Sequence, residues 1–271
     1  MQYRTLGKTG LRVSAVGFGG IPIQRIDAAG TRVLMERLAE KGVNFIDTAR
    51  GYTVSESYLG EALSGGLRDR FLLATKSMAR DYDGMARDIE RSLANLQTDH
   101  IDLYQLHNIK SDADFALAFS AHGAVAAIED AIRAGKVRHL GATAHSADSF
   151  ERLLNYPQIE TIMFPYNIVE NQGEALMARA AAQGVGVIAM KPLAGGNITD
   201  GTLAVRYILQ NLNCTVAIPG MASLDEIEAN VAAAGTEGPL TAEELAACEA
   251  VRAELSDNFC RRCGYCAPCT A

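Results

Sequence analysis

Residues 45–52 read F-I-D-T-A-R-G-Y, preceded by Val43 and Asn44. The run 43–46 is short and apolar, as in a buried strand, and it breaks on an acid, Asp47. Small and flexible residues come next, and Tyr52 stands five positions beyond the acid. An acid closing an apolar strand costs free energy unless it is paired or put to use. Taken alone, Asp47 reads as readily as a plain residue, capping a helix that starts near Ser55 or pairing with an arginine, as it does as a working one. The rest of the chain separates these readings.

Outward from this stretch, short apolar runs alternate with helical patterns. Towards the N-terminus, residues 2–6 and 11–14 flank Gly7-Lys8-Thr9-Gly10, which predicts a β-hairpin. Residues 16–20 predict a strand ending in two glycines. Asp27 then caps a helix in which Val33, Leu34 and Leu38 share a face, and Gly42 stops it. Towards the C-terminus, 55–63 is helical, 71–75 is a strand ending in Lys76, and Met85, Ile89, Leu93 and Leu96 form a helical stripe. The strand 101–106 ends in His107, and a helix through Val125, Ile128 and Ile132 is closed by Gly135. Strands follow at 137–142, 159–164, 185–190 and 215–218, with helices at 149–154, 174–183, 203–209 and 224–233. A last helix, 241–255, opens on the capping box Thr241-Ala242-Glu243-Glu244.

Eight strands follow the hairpin, beginning at Val16, Phe45, Phe71, Ile101, Val137, Ile159, Val185 and Val216, and each is followed by a helix. They are apolar throughout, as in a parallel sheet covered on both faces. Eight such units predict an α/β fold of the (β/α)8 TIM-barrel type. A doubly wound sheet would carry a glycine-rich turn after its first strand. Here that turn reads G-F-G-G-I-P-I, and Pro22 stands where a phosphate-binding helix would begin. The expected organisation is one barrel, residues 1–256, and a short cysteine-rich tail, residues 257–271.

Composition narrows the function classes. The chain has 271 residues, with 48% hydrophobic and 21% charged, which suits a globular protein of one large domain. A net charge of −7 without a Lys/Arg cluster argues against a nucleic-acid partner. No apolar run reaches the roughly 20 residues of a membrane span, and the first residues lack the apolar core of a secretory leader. A cytoplasmic location without membrane association is therefore expected. Cys214 and Cys248 are isolated, whereas Cys260, Cys263, Cys266 and Cys269 stand at every third residue. In a cytoplasmic protein that crowding points to a metal or cluster before disulfides.

Active sites of such barrels lie at the C-terminal ends of the strands. Three successive strands end on Asp47, Lys76 and His107, with Tyr52 in the first of the following loops. A tyrosine hydroxyl ordinarily holds its proton up to a pKa near 10, and a neighbouring cation lowers that value. Lys76 supplies the cation, Asp47 holds it charged, and His107 can donate a hydrogen bond to a substrate oxygen. Such a set can protonate an oxygen as it becomes an alkoxide. Individually each residue also has a plain reading: a strand-end lysine, a satisfied histidine, a loop aromatic. Four together on successive strands favour the chemical one.

The chain resembles the aldo-keto reductases along the whole barrel, through Y-R-T-L-G-K-T-G-L-R-V-S, N-F-I-D-T-A-R-G-Y, S-E-S-Y-L-G-E-A-L, L-L-A-T-K, I-D-L-Y-Q-L-H, A-G-K-V-R-H-L-G, P-Y-N and V-A-I-P-G. That family's Asp-Tyr-Lys-His set falls on Asp47, Tyr52, Lys76 and His107. The resemblance implies an NAD(P)H-dependent oxidoreductase that reduces a small-molecule aldehyde or ketone to an alcohol, with Tyr52 as proton donor. It places the cofactor on Gly20, Ile21, Asp47, Thr143, His145, Met163, Met190, Lys191, Pro192 and Leu193. Gly195, Gly196, Pro219, Gly220, Met221, Ser223, Glu226 and Asn230 complete that set.

The cofactor region departs from the family's pattern. Relatives often read G-x-S-N where this chain has Gly141-Ala142-Thr143-Ala144-His145, a glutamine at Met163, and a stacking tyrosine at Met190. Methionine can still pack on a ring through its polarizable sulfur. NADPH-using relatives often carry an arginine at the place of Ala222 or Glu226; this chain has neither, and Asp225 adds an acid. NADPH is the family expectation, and NADH is the alternative that those acids favour. The tail F-C-R-R-C-G-Y-C-A-P-C-T-A resembles the ferredoxin-like run of one branch of the family, which implies a [4Fe–4S] cluster and a redox partner reached through the tail. Its spacing differs from the bacterial ferredoxin run. Zinc and an empty tail remain open alternatives. A redox sensor or electron-transfer protein with a nucleotide-binding barrel is the alternative function.

Overall fold

The computed structural model describes residues 1–255 and Cys260. Strands β1 (Tyr3–Thr5) and β2 (Arg12–Ser14) pair antiparallel around a 3-10 turn at Gly7–Thr9. The turn docks against the barrel: the Lys8 amide donates to the Gly184 carbonyl at 2.5 Å. Gly7 is required there. It has φ +53°, and a Cβ would lie 2.2 Å from the Gly186 nitrogen.

Eight parallel strands follow: β3 (Phe18–Gly19), β4 (Phe45–Asp47), β5 (Leu72–Ser77), β6 (Ile101–Leu106), β7 (Val137–Thr143), β8 (Thr161–Pro165), β9 (Gly186–Met190) and β10 (Val216–Ala217). Each pairs with its neighbours in chain order. Parallel bridges Val16–Ala217 and Gly19–Gly220, with the Gly17 amide donating to the Ala217 carbonyl at 2.8 Å, join the first strand to the last and close the barrel.

The helices are α1 (Ala28–Glu40), α2 (Ser55–Ala62), α3 (Tyr82–Leu96), α4 (Asp112–Ala118), α5 (Ala124–Arg133), α6 (Ala147–Leu153), α7 (Glu174–Ala182), α8 (Gly201–Gln210), α9 (Leu224–Gly235) and α10 (Ala242–Leu255). Among the described residues, none is long and apolar enough to cross a membrane.

The two-residue period of each strand sorts its side chains into two cores. Phe45, Ala74, Leu103, Met163, Ile188, Met190, Val216 and Ile218 fill the barrel with Leu6 and Val13 from the hairpin. Ile46, Leu73, Tyr104, Leu106, Leu140, Ala142, Ile162 and Phe164 face outward and pack with the helices. Asp47, Lys76 and Gln105 stand two positions beyond Phe45, Ala74 and Leu103, on the same inward faces. The barrel's own packing thus aims these polar groups at its C-terminal end.

Several expectations shift in detail. Val33 is 51% exposed, and Thr31, Leu34, Met35 and Leu38 form the buried face of α1 instead, at spacings of three and four. The helix α4 was not expected, although Ser111-Asp112-Ala113-Asp114 carries its signal: Ser111 and Asp114 form a reciprocal capping box. The capping box at Thr241 and Glu244 is present, with bonds of 2.8 and 3.2 Å.

Candidate active site

Asp47 and Lys76 meet inside the C-terminal mouth of the barrel. The Lys76 ammonium donates to Asp47 Oδ2 at 2.5 Å and to the Thr48 carbonyl at 2.8 Å, and both side chains are almost wholly buried. Gln105, inward-facing on β6, donates from Nε2 to Asp47 Oδ1 at 3.1 Å. Asp47 is therefore an ion-pair partner and caps nothing: α2 begins after Val54 with no side-chain cap.

Tyr52 lies over this pair. The Lys76 ammonium is 4.8 Å from its ring centroid, and its ring meets that of His107 edge-on with centroids 6.1 Å apart. The loop that carries it is held through its backbone. The Arg50 amide donates to the Lys76 carbonyl at 3.0 Å, the Tyr52 amide to the Ala49 carbonyl at 3.0 Å, and the Ser55 amide to the Tyr52 carbonyl at 2.7 Å. Thr53 takes a left-handed φ of +36°, unusual for a β-branched residue, at the tip of the turn. His107 closes the group: its amide donates to the Ser77 carbonyl at 2.9 Å, and Arg80 donates to its carbonyl at 2.7 Å.

The electrostatics separate the four. Burial works against the charge on Lys76, yet Asp47 and Tyr52 outweigh it and hold its pKa above the ordinary lysine value. Burial pushes the Asp47 carboxyl upward, against the pull of Lys76 and Gln105. Burial also raises Tyr52, and the cation of Lys76 offsets this only in part because Asp47 acts in the opposite sense. Lys76 does act to lower the Tyr52 pKa, as expected, but burial and Asp47 outweigh it: the net direction is up, and the hydroxyl keeps its proton at neutral pH. Burial, then the Lys76 charge, take His107 down to about 2, leaving a neutral imidazole.

Most of the expected cofactor positions follow the C-terminal ends of β3, β7, β9 and β10, with Ser223, Glu226 and Asn230 on or at the start of α9. Thr143 ends β7 and His145 stands two positions beyond it, and the Thr143 hydroxyl accepts from the Asn108 amide at 2.7 Å. Burial, then the Lys191 charge, hold His145 near 3. Met163 and Met190 belong to the barrel's inner core. Beyond β9 the segment 191–196 coils tightly, with positive φ at Lys191, Ala194, Gly195 and Gly196. Gly20, Ile21, Pro219 and Gly220 come together where β3 meets β10, the Gly19 amide donating to the Pro219 carbonyl at 2.9 Å. Met221 is fully buried.

On α9, Ser223 and Glu226 are engaged with each other. Ser223 Oγ accepts from the Glu226 amide at 3.2 Å, and Glu226 Oε2 accepts from the amides of Ala222 and Ser223 at 2.6 and 3.2 Å. One turn on, Asn230 is 5% exposed, and its Oδ1 has no hydrogen-bond partner among the described residues. A buried acceptor left open in this way is a place where a ligand's N–H donor could bond.

Three of the four tail cysteines, Cys263, Cys266 and Cys269, lie outside the described residues. Cys260 is exposed, and its carbonyl accepts from Asn197 Nδ2 at 2.9 Å. Among the described residues, no three His, Cys, Asp or Glu side chains gather as a metal site.

Gln105 was not singled out in the sequence, although a glutamine within the apolar run L-Y-Q-L-H was a usable signal. Arg50 and Glu56, which pair at 2.6 Å, were also missed, because the other partners of Glu56, Thr75, Ser92 and Asn95, are distant in the chain.

Residues 15–202 match the Aldo/keto reductase family. L-galactose dehydrogenase of Arabidopsis thaliana is 29% identical to this chain, covering 86% of it and 88% of its own length. The uncharacterized oxidoreductase YrpG of Bacillus subtilis is 31% identical, covering 72% and 68%. Among solved structures, the holo form of aldo-keto reductase AKR11C1 from Bacillus halodurans superposes with a TM-score of 0.81 at 27% identity, covering 93% of this chain and 96% of that one. With a family match across most of the barrel and a fold of the same architecture, the chain belongs to the aldo/keto reductase family.

Proposed function

We propose that this protein reduces a small aldehyde or ketone to the alcohol at the mouth of its barrel, with Tyr52 as the proton donor. The observation that carries the proposal is the convergence of Asp47, Tyr52, Lys76 and His107 from three successive strands and one loop. NAD(P)H, when bound, supplies the hydride for the carbonyl carbon. The protein's own part is protonic and electrostatic. His107, neutral, donates a hydrogen bond that orients the carbonyl oxygen. Tyr52 gives that oxygen its proton as negative charge develops. The Lys76 ammonium stabilises the phenolate left behind, and Asp47, fixed by Gln105, holds the ammonium in place. Water reprotonates Tyr52 afterwards.

Tyr52→Phe tests this. With 4-nitrobenzaldehyde as substrate, kcat should fall by about 10²–10⁴-fold, the range of a general acid's contribution, while cofactor binding persists. A wild-type rate would overturn the assignment. A redox sensor that only binds nucleotide predicts no aldehyde-dependent cofactor oxidation from the unaltered protein.

Cofactor choice rests on α9. NADPH is the family's usual reductant, and the open acceptor of Asn230 suits adenine in either cofactor. Glu226, however, occupies the amides of Ala222 and Ser223 and puts a negative charge at the start of α9, which disfavours an additional phosphate there and so favours NADH. The ratio of dissociation constants for the two reduced cofactors decides. For the tail, the resemblance of the run carrying Cys260, Cys263, Cys266 and Cys269 to the family's ferredoxin-like branch points to a [4Fe–4S] cluster and, through it, a redox partner. Iron and sulfide in anaerobically purified protein would bear this out, and zinc without iron would overturn it.

A further inference from the structure

Behind the rim, on the outer face of the barrel, lies a buried carboxylate that the chemistry above does not use. Glu56, in the first turn of α2, is 1% exposed. Its Oε1 accepts from Thr75 Oγ1 at 2.8 Å and from Ser92 Oγ at 2.7 Å. Its Oε2 accepts from the Arg50 guanidinium at 2.6 Å and from Asn95 Nδ2 at 3.2 Å. Four donors fill the acceptor capacity of the carboxylate. Two of them belong to the neighbours of the site. Thr75 precedes Lys76 on β5 and faces the opposite side of the strand, and Arg50 stands two residues before Tyr52 in the same loop.

We propose that Glu56 is a positioning residue for Tyr52: one buried carboxylate ties the loop that carries the tyrosine, through Arg50, to the strand that carries Lys76, through Thr75. The inference rests on Tyr52 being the proton donor. The loop needs such an anchor because its tip is strained at Thr53, which takes a left-handed φ of +36°. Arg50 is also fixed from a second side, with Asp88 3.6 Å from its Nε, and Asp88 in turn accepts from Ser77 Oγ at 2.5 Å. Arg50, Glu56, Asp88, Thr75, Ser77, Ser92 and Asn95 thus lock loop, α2, α3 and β5 into one unit. A tyrosine misplaced by about 1 Å transfers its proton poorly, at a cost on the order of 10²-fold in rate.

Glu56→Gln is selective at the level of atoms. The amide oxygen can still accept from Thr75 and Ser92. The amide nitrogen now faces the guanidinium and Asn95, donor against donor, so Arg50 is released while the strand side of the network stays. The expected result is a fall in kcat of roughly tenfold to 10²-fold, with KM and the dissociation constant for NAD(P)H unchanged and the alkaline limb of the kcat–pH profile displaced. Arg50→Met should reproduce the loss, and Arg50→Lys should restore part of it.

The discriminating measurement is the double variant Tyr52→Phe/Glu56→Gln. If Glu56 acts through Tyr52, the double variant is no slower than Tyr52→Phe alone. Rate losses that multiply, or a Glu56→Gln kcat and pH profile equal to wild type, would overturn the proposal. So would a loss of rate matched by loss of cofactor binding and of folded protein. If Tyr52→Phe itself keeps the wild-type rate, the proton-donor assignment fails; if only Glu56→Gln is silent, that assignment stands and the positioning role falls.

Discussion

Replacing Lys76 by methionine tests the arrangement at its most expensive point. The ammonium donates to Asp47 Oδ2 at 2.5 Å and to the Thr48 carbonyl at 2.8 Å, in a place where Lys76 and Asp47 are each only 2% exposed. Methionine fills the volume but leaves the Asp47 carboxylate with Gln105 Nε2 as its hydrogen-bond donor. Removing one partner of a buried ion pair costs about 3–5 kcal/mol, chiefly because the other charge is stranded. The strand would escape part of this by protonating Asp47, whose carboxyl burial already pushes upward. The sign of the pH dependence follows. An acid whose folded pKa lies above its unfolded value, about 3.9 for Asp, contributes stability at low pH that is lost as pH rises through the folded pKa. The Lys76→Met deficit against wild type should therefore widen as pH rises above the unfolded Asp value, read as urea midpoints at each pH with the slope held constant. Asp47→Asn/Lys76→Met should recover most of the loss, since no charge is then stranded and the open Oε1 of Gln105 can accept from the new amide. A deficit below about 1 kcal/mol, a deficit independent of pH, or a double variant no more stable than the single one would refute the reasoning.

Other outcomes follow from the same geometry. His107 and His145, held near 2 and 3, are neutral in the folded protein and charge on unfolding at mildly acid pH. A lowered folded pKa gives stability that is complete above the unfolded value of about 6.5 and lost as pH falls, with a slope of up to about 2.7 kcal/mol per pH unit for two protons; His107→Asn should roughly halve the slope of urea stability between pH 6 and pH 5. Lys76, raised by Asp47, contributes stability below its unfolded pKa of about 10.4 that is lost as pH rises through its higher folded value, so Lys76→Met should flatten the alkaline arm of the stability–pH curve. Gly60 lets α2 lie against the end of α3: a Cβ there would stand 2.1 Å from the Asn95 carbonyl oxygen. Gly60→Ala should cost about 1–3 kcal/mol or more in thermal unfolding, and an unchanged Tm would contradict that close approach. Glu226→Gln should raise affinity for NADPH relative to NADH, measured by nicotinamide fluorescence, because a neutral cap no longer repels a 2′-phosphate.

The barrel was legible in the chain because its signals are local. Apolar strands, the stripe of Met85, Ile89, Leu93 and Leu96, and the stops at Gly42 and Gly135 each follow from neighbours a few residues apart, and the structure places an element on each. Asp47, Lys76 and His107 could be grouped because parallel strands of one barrel end at one rim. The strand ends were harder to read. β3 and β10 are two residues long, since closure there rests on single bridges that involve backbone groups alone. What the sequence could not determine depends on burial and on distant partners. The direction of the Tyr52 pKa turns on burial and Asp47 together outweighing Lys76, which no spacing reveals. Glu56 reads locally as an ordinary helical glutamate, and only folding brings Thr75, Ser92, Asn95 and Arg50 around it. Residues 45–52 by themselves announced a strand, an acid and a tyrosine. The tertiary structure made the acid a counter-ion and gave the tyrosine its seat, because charge pairing and desolvation belong to the packed interior, where residues far apart in the chain share one low-dielectric space.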